Sequence, residues 1–336
     1  MNVLLPQPIE AEAIALLEEA KCKIMVAPNP SPETVYPLMQ DAHGLILRTG
    51  ITITPALLAA TDALLVISRT GGGLDNVDLK AATQKEIIVT SNLGVNTVSV
   101  TEHVLALILA LSKKLPVLDQ AVRGNNFMIR YQNLSRDVNG KILGLLGFGR
   151  IGSEIGRICR QIFNMRVIAF DPYLPQDVKT SYAEAVSFVE PHELFAISDI
   201  ISIHVPLTEE TRHLVGTAEL DAMKSDAILI NTSRGGVIDE RALISALQNN
   251  TIGGAGLDVF SEEPVPADNP LLQLENVILT PHTAALTREC VTRMATEAAR
   301  CVLEVFAGRE PPNVANRDVL KKKRWRHLKL IRSLTR

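Results

Sequence analysis

The sequence predicts an α/β protein made of two doubly wound parallel-sheet domains. Three observations lead there. Short apolar runs alternate with stretches of helical spacing along almost the whole chain. The alternation pauses once, at a long apolar helix over about 97–123, and then restarts. A glycine-rich turn follows the first strand of the restart. The length of 336 residues also suits about two domains.

The first domain reads in order. "NVLL" (2–5), "KIMVA" (23–27), "GLILR" (44–48), "LLVIS" (64–68) and "IIVTS" (87–91) have the continuous apolar character of strands buried on both faces. Between them, "PIEAEAIALLEEA" and "SPETVYPLMQ" have helical spacing, the second opening on a serine cap ahead of proline. Strand–helix–strand alternation implies a parallel sheet.

The second domain follows the long helix. Its expected strands are "KILGLLG" (141–147), "RVIAF" (166–170), "IISIHV" (200–205), "AILI" (227–230), "GAGLDVF" (254–260) and "NVILT" (276–280). A last helix, over about 284–307, returns the chain to the first domain. That domain is therefore discontinuous, 1–97 with 285–316, around a second domain of 98–284. Residues 317–336 form a basic tail with no packing pattern and are expected to be disordered.

Composition narrows the function. Aromatic residues are only 4%, so the cores must be aliphatic. The net charge of −3 is unevenly spread: the last sixteen residues hold eight Lys/Arg and no acid, leaving 26 basic against 37 acidic residues elsewhere, a net of −11. So acidic a body argues against nucleic acid as a partner. Four cysteines, at 22, 159, 290 and 301, form no C-x-x-C pair, so no metal site or disulfide framework is expected. The opening "MNVLLPQPIEAE" lacks a basic region ahead of a long apolar core, and the longest apolar run is eight residues where a membrane span needs about 20. A cytoplasmic protein without a membrane partner is expected.

The glycine-rich turn is Gly147-x-Gly149-x-x-Gly152, between an expected strand and an expected helix. In that setting the first glycine allows the tight turn, the second lets backbone approach a pyrophosphate, and the third packs helix against strand. The helix N-terminus offers unpaired N–H groups to an anion. Asp171 ends the next strand nineteen residues past Gly152, where a ribose-binding carboxylate belongs. It would repel a 2′-phosphate, and no arginine follows directly, so NAD is favoured over NADP.

Three further stretches fall at strand ends of this domain: Arg234 in "NTSRGGVIDERAL", Asp258 and Glu263 in "GLDVFSEEP", and His282 in "LTPHTA". Ligands of an open parallel sheet bind outside those ends. Arg, Glu and His together suit reduction of a 2-oxo acid. A guanidinium grips a carboxylate through a two-point fork. An imidazolium delivers a proton, and a carboxylate beside it favours its charged form.

Seven blocks in order resemble the D-2-hydroxyacid dehydrogenase family, near its phosphoglycerate dehydrogenase and hydroxypyruvate or glyoxylate reductase branches. They are "SRTGGGLDNVDLKAAT" (68–83), "NTVSVTEHVLALILAL" (96–111), "GLLGFGRIG" (144–152), "HVPLTEETRHLVG" (204–216), "AILINTSRGGVIDERAL" (227–243), "GLDVFSEEPVP" (256–266) and "LTPHTA" (279–284). The resemblance implies two Rossmann-like domains with a cleft between them, and a homodimer through the coenzyme domain. It implies Arg234 on the substrate carboxylate and carbonyl, His282 as acid–base, and Glu263 as its partner. Asp258 would meet the nicotinamide amide, and the N–H groups of Arg150 and Ile151 the pyrophosphate. His204, Pro206 and Thr232 would line the cofactor. Gly71, Gly72 and Gly73 would offer N–H groups to the substrate carboxylate, with Arg48 adding charge. The candidate substrates are D-3-phosphoglycerate with 3-phosphohydroxypyruvate, hydroxypyruvate and glyoxylate.

The chain departs from the family pattern at Thr101, usually alanine, and at Thr283-Ala284-Ala285, usually an apolar residue followed by Gly-Gly or Gly-Ala. The second change flanks His282 and bears on substrate choice. The resemblance ends near Asn316, so a regulatory domain of the kind some phosphoglycerate dehydrogenases carry is not expected. The corepressors known as C-terminal-binding proteins share the fold, so an NAD(H)-sensing binding protein is the alternative. The basic tail, with Trp325 and Leu328, Leu330, Ile331 and Leu334, could instead meet an anionic surface.

Overall fold

The computed structural model describes residues 1–334, with side-chain surroundings as far as Leu330. The chain divides into two compact units, Met1–Asn96 with Leu286–Arg336, and Thr97–Ala285.

The first unit holds five parallel strands: β1 (Asn2–Leu5), β2 (Lys23–Val26), β3 (Gly44–Leu47), β4 (Val66–Arg69) and β5 (Ile88–Thr90). Their order is β2-β1-β3-β4-β5. The sheet reverses its winding between β1 and β3, as in flavodoxin-like sheets. Helix Arg288–Phe306 lays Ala295, Ala298, Ala299 and Val302 on Val3, Leu5, Ile46 and Val66. It starts at 288 rather than 284 because Thr287 caps it, accepting the Cys290 N–H at 3.1 Å.

The tail corrects an expectation. Residues Lys323–Leu334 form a helix, and Trp325 is 5% exposed, packed in the same core with Val302 and Val319. The Arg324 N–H donates to the Glu86 carboxylate at 2.7 Å. One aromatic and Leu328 supply the inward face that the basic run conceals in the sequence. The side chains of Ile331 and Leu334, expected on the same apolar face, lie outside the described residues.

The second unit holds seven parallel strands: β6 (Ile142–Leu146), β7 (Arg166–Phe170), β8 (Val186–Phe188), β9 (Ile200–Ile203), β10 (Ile228–Asn231), β11 (Gly254–Leu257) and β12 (Val277–Leu279). Their order is β12-β11-β10-β9-β6-β7-β8. This is the doubly wound Rossmann pattern with one strand added, and its switch point lies between β6 and β9. Aliphatic clusters cover the two faces, one around Ile201, Ile203 and Leu229, the other around Val104, Leu145 and Ile230.

Two elements differ from expectation. The helix over 97–123 is two helices, Thr97–Ser112 and Leu115–Arg123. Lys114 between them has φ +53°, a left-handed turn that a continuous helix does not contain, and Pro116 follows it. β8 was not expected. It is a three-residue edge strand whose middle residue, Ser187, is exposed, so it lacks the apolar run of its neighbours.

Candidate active site

Six strands of the second unit end one residue before a polar or glycine position: β6 before Gly147, β7 before Asp171, β9 before His204, β10 before Thr232, β11 before Asp258 and β12 before Thr280. Parallel strands put all six at one edge of the sheet, the edge where such sheets bind ligands.

At the switch point, Gly147 has φ +97°, and a Cβ there would lie 2.7 Å from the His204 carbonyl oxygen. Only glycine fits that turn. A Cβ on Gly152 would lie 2.4 Å from the Gly147 oxygen, so helix Arg150–Phe163 starts hard against the turn. Around Gly149 the space is open for 4 Å. The first bond of the helix runs from the Ser153 N–H to the Gly149 oxygen, so the N–H groups of Arg150, Ile151 and Gly152 precede its ladder. Asp171 braces the turn: its carboxylate accepts the Phe148 and Tyr173 N–H groups, each at 3.0 Å.

Two polar atoms at the same edge of the sheet are buried without a hydrogen-bond partner, His204 Nε2 and Thr232 Oγ1. Burial pushes the His204 imidazole down to about 3, so it is neutral at ordinary pH. Open space over a glycine turn, N–H groups at a helix start and two orphaned polar atoms fit a dinucleotide. Pro206 lies on the exposed loop beyond, its carbonyl accepting the Thr211 hydroxyl at 2.6 Å.

The acid–base candidates form one connected structure. Past β10, Asn231 shapes the loop by accepting the Ser233 N–H at 3.0 Å and donating to the Arg234 carbonyl at 2.9 Å. Arg234 is extended, and its guanidinium donates to the Ser233 carbonyl at 2.6 Å. Next to it, Gly235 lies against Phe260. The Phe260 N–H donates to Glu263 Oε1 at 3.1 Å, and Glu263 Oε2 is 2.8 Å from His282 Nδ1. With Nδ1 on Glu263, Nε2 is the ring nitrogen outside this pair. The His282 and Glu263 side chains are 44% and 38% exposed, open to a substrate.

Asp258 joins the same structure. It is 0% exposed. Its carboxylate accepts the Thr280 hydroxyl at 2.6 Å and the Thr283 and Ala284 N–H groups at 2.8 Å. The carboxylate that the resemblance places on a nicotinamide amide also folds the turn that carries His282. His282 itself has φ +55°, and its N–H donates to the Thr280 carbonyl at 3.0 Å. Thr280 and His103, whose Nε2 is 3.0 Å from the Thr280 hydroxyl, are further members of the network that sequence reasoning missed. The signal was present: a histidine inside the apolar helix "TEHVLALILAL".

The remaining candidates lie in the first unit. The Gly71 carbonyl accepts the Asn92 N–H at 3.1 Å, and Asn92 Nδ2 donates to Thr70 and Met294 carbonyls, which pins the Gly71–Gly72–Gly73 turn. Arg48 is turned to Glu10 at 3.0 Å and to the Pro8 carbonyl.

Residues 105–284 match the family model described as D-isomer specific 2-hydroxyacid dehydrogenase, NAD binding domain. The chain is 38% identical to a glyoxylate reductase of Korarchaeum cryptofilum over 87% of this chain and 88% of that one. It is also 38% identical to a D-3-phosphoglycerate dehydrogenase of Methanocaldococcus jannaschii, over 94% of this chain but 59% of that one. The chain thus spans about three fifths of the phosphoglycerate dehydrogenases it matches. Among solved structures, the TT0316 protein of Thermus thermophilus superposes with a TM-score of 0.85 at 33% identity, covering 94% of this chain and all of the other. An NADPH-dependent glyoxylate/hydroxypyruvate reductase of Sinorhizobium meliloti superposes with a TM-score of 0.83 at 27% identity, covering 94% of this chain and 98% of that one.

Proposed function

The chain belongs to the D-isomer-specific 2-hydroxyacid dehydrogenase family, and from that premise we propose that it interconverts a D-2-hydroxy acid and a 2-oxo acid. The observation that carries the reading is the His282–Glu263 pair at 2.8 Å, held beside the Arg234 loop.

A nicotinamide cofactor supplies and takes back the hydride at C2 of the substrate. The residues proposed to hold it are Gly147, Gly149 and Gly152, the N–H groups of Arg150 and Ile151, Asp171, His204, Pro206 and Thr232. NAD is the proposed form. Asp171 already bears a negative charge that two N–H groups hold in place, and a 2′-phosphate beside it would meet repulsion.

In the reducing direction His282 Nε2–H gives its proton to the carbonyl oxygen, and the N–H electron pair stays on the ring. Glu263 holds the ring by Nδ1 throughout, so the imidazole keeps one face to the substrate. Arg234 binds the substrate carboxylate and polarises the carbonyl. The N–H groups of Gly71, Gly72 and Gly73 are assigned to the same carboxylate. Glyoxylate, hydroxypyruvate and 3-phosphohydroxypyruvate are the candidate 2-oxo acids, after the relatives named above.

A second copy of the chain is the proposed partner. Helix Leu115–Arg123 and the segment after it leave Leu115, Val122, Phe127, Met128, Tyr131 and Leu134 more than half exposed, an apolar surface suited to a homodimer. A cytoplasmic location with reduced thiols agrees with this reading.

The test is NADH oxidation by the purified protein against those three 2-oxo acids, pyruvate and 2-oxoglutarate, with wild type and His282→Ala. One substrate turning over, with most of the rate lost in the variant, is the expected result. Tight NADH binding with no turnover would sink the enzyme reading and favour a cofactor sensor.

A further inference from the structure

We infer that His103 is a positioning residue for the acid–base site, acting on His282 through Thr280 and Asp258. The inference rests on the reading of His282 given above.

Asp258 is buried, and a carboxylate so placed must be met by hydrogen bonds or a partner. Donors surround it. Oδ2 takes the Ala284 N–H at 2.8 Å. Oδ1 takes the Thr283 N–H at 2.8 Å, the Thr280 hydroxyl at 2.6 Å and the Thr283 hydroxyl at 3.5 Å, and His103 Nε2 stands 3.7 Å away. The two amides belong to the residues just after His282, and Thr280 lies two residues before it. One carboxylate therefore clamps both ends of the turn whose middle is the acid–base residue in a left-handed conformation, φ +55°. Such a conformation costs a non-glycine residue energy and persists only where its surroundings hold it.

The clamp depends on where one proton points. A threonine hydroxyl has a single proton. At 2.6 Å from an acceptor-only carboxylate, that proton belongs to the Thr280–Asp258 bond. The Thr280 oxygen must then accept from its other neighbour, His103 Nε2 at 3.0 Å. The direction of the whole relay follows: His103 Nε2–H to Thr280 Oγ1–H to Asp258 Oδ1. Hydrogen bonds aligned in one direction strengthen each other. His103 is thereby assigned the Nε2–H tautomer, or the doubly protonated ring, and its contribution is to keep the Thr280 hydroxyl turned toward Asp258.

The helix that carries His103 is fixed in place for this. Thr97–Ser112 packs on β10 and β11, and a Cβ on Gly256 of β11 would lie 3.2 Å from Leu107 Cβ. The close approach sets the height at which His103 reaches the end of β12. His103 is 21% exposed and its ring meets the Thr280 hydroxyl, so its effect travels through Thr280.

The experiment combines a double-variant cycle with ring NMR. His103→Leu and Thr280→Val should each lower kcat by about ten- to a hundredfold, the scale of a reacting group displaced by a fraction of an ångström, with KM for NADH nearly unchanged. The double variant should lose no more than either single one, because both break the same relay. His103→Gln, which keeps an N–H donor, should recover most of the rate. Rates of His103→Leu within about twofold of wild type, or losses that multiply in the double variant, would overturn the inference while leaving the dehydrogenase reading intact. If wild type turns over no 2-oxo acid, that reading fails alone and the ring spectrum decides the relay. A slowly exchanging Nε2–H on His103 that is lost in Thr280→Val supports it. An Nδ1–H tautomer overturns it. Thermal unfolding of each variant separates a changed relay from a damaged fold.

Discussion

Gly235 and Phe260 stand backbone to backbone: a Cβ on Gly235 would lie 1.9 Å from the Phe260 carbonyl carbon and 2.5 Å from the Ser261 nitrogen. Neither atom can turn aside as a side-chain tip can. This contact seats the loop that carries Arg234 against the loop whose Phe260 N–H holds Glu263. Gly235→Ala must push the two loops apart. Overpacking of this kind costs about 1–3 kcal/mol. The expected result is a melting temperature several degrees lower, with kcat/KM reduced at least tenfold. Unchanged kinetics would mean the two loops can separate without consequence for Arg234 and Glu263.

The His282–Glu263 pair should behave in the opposite way. Both side chains are more than a third exposed, and an exposed ion pair contributes at most about 1 kcal/mol to stability. His282→Ala should therefore leave the melting temperature nearly unchanged while removing about 10²–10⁴-fold of kcat. Glu263→Gln should lose less, since the amide oxygen can still take the Phe260 N–H. A large loss of stability in either variant would show the pair to be part of the fold.

Most strands were legible because they are buried on both faces and read as unbroken apolar runs; β2 and β12, at the sheet edges, are partly exposed but keep the apolar run. β8 was not, because Ser187 faces solvent in a three-residue edge strand. The site positions were legible because the glycine spacing and the polar residues mark where apolar runs end. What the spacing could not say is which atoms those residues would meet. Asp258 sits at a strand end like Asp171, yet one is closed over by Thr280, Thr283 and Ala284 and the other faces the glycine turn. The difference lies in the fold of the following turn, which one-dimensional spacing does not encode. Arg48 likewise meets a residue 38 positions away, Glu10, that no local pattern links to it.

His204 carries a pH dependence. Its ring, pushed by burial to about 3, stays neutral in the folded protein, while in the unfolded chain it protonates near the ordinary 6.5. Between those values the unfolded state binds the extra proton, so stability falls as pH falls from about 6.5 toward 3, by up to about 1.4 kcal/mol per pH unit. Above 6.5 the contribution is fully present. His204→Gln, which has no proton to gain, should show a shallower loss in denaturant unfolding between pH 6.5 and 4.5. Parallel stability curves for the two proteins would mean that the ring titrates in the native state as it does when unfolded.

Trp325 offers the last test, at the point where the sequence misled most. Read alone, the basic tail resembles a solvated segment, and such a segment is cut by trypsin at once. The structure instead sets Trp325 among Val319, Val302 and other core residues, with Leu328 beside it and the Arg324 N–H on Glu86. Removing a buried aromatic side chain costs about 3–5 kcal/mol, more than a short helix at the edge of a unit can draw from its other contacts. Trp325→Ala should release the helix, so that trypsin cleavage within Lys321–Arg326 speeds up at least tenfold while NADH oxidation persists. Equally fast cleavage of wild type and variant would mean that the helix is not held by Trp325, and that its lysines and arginines act as a loose charged segment after all.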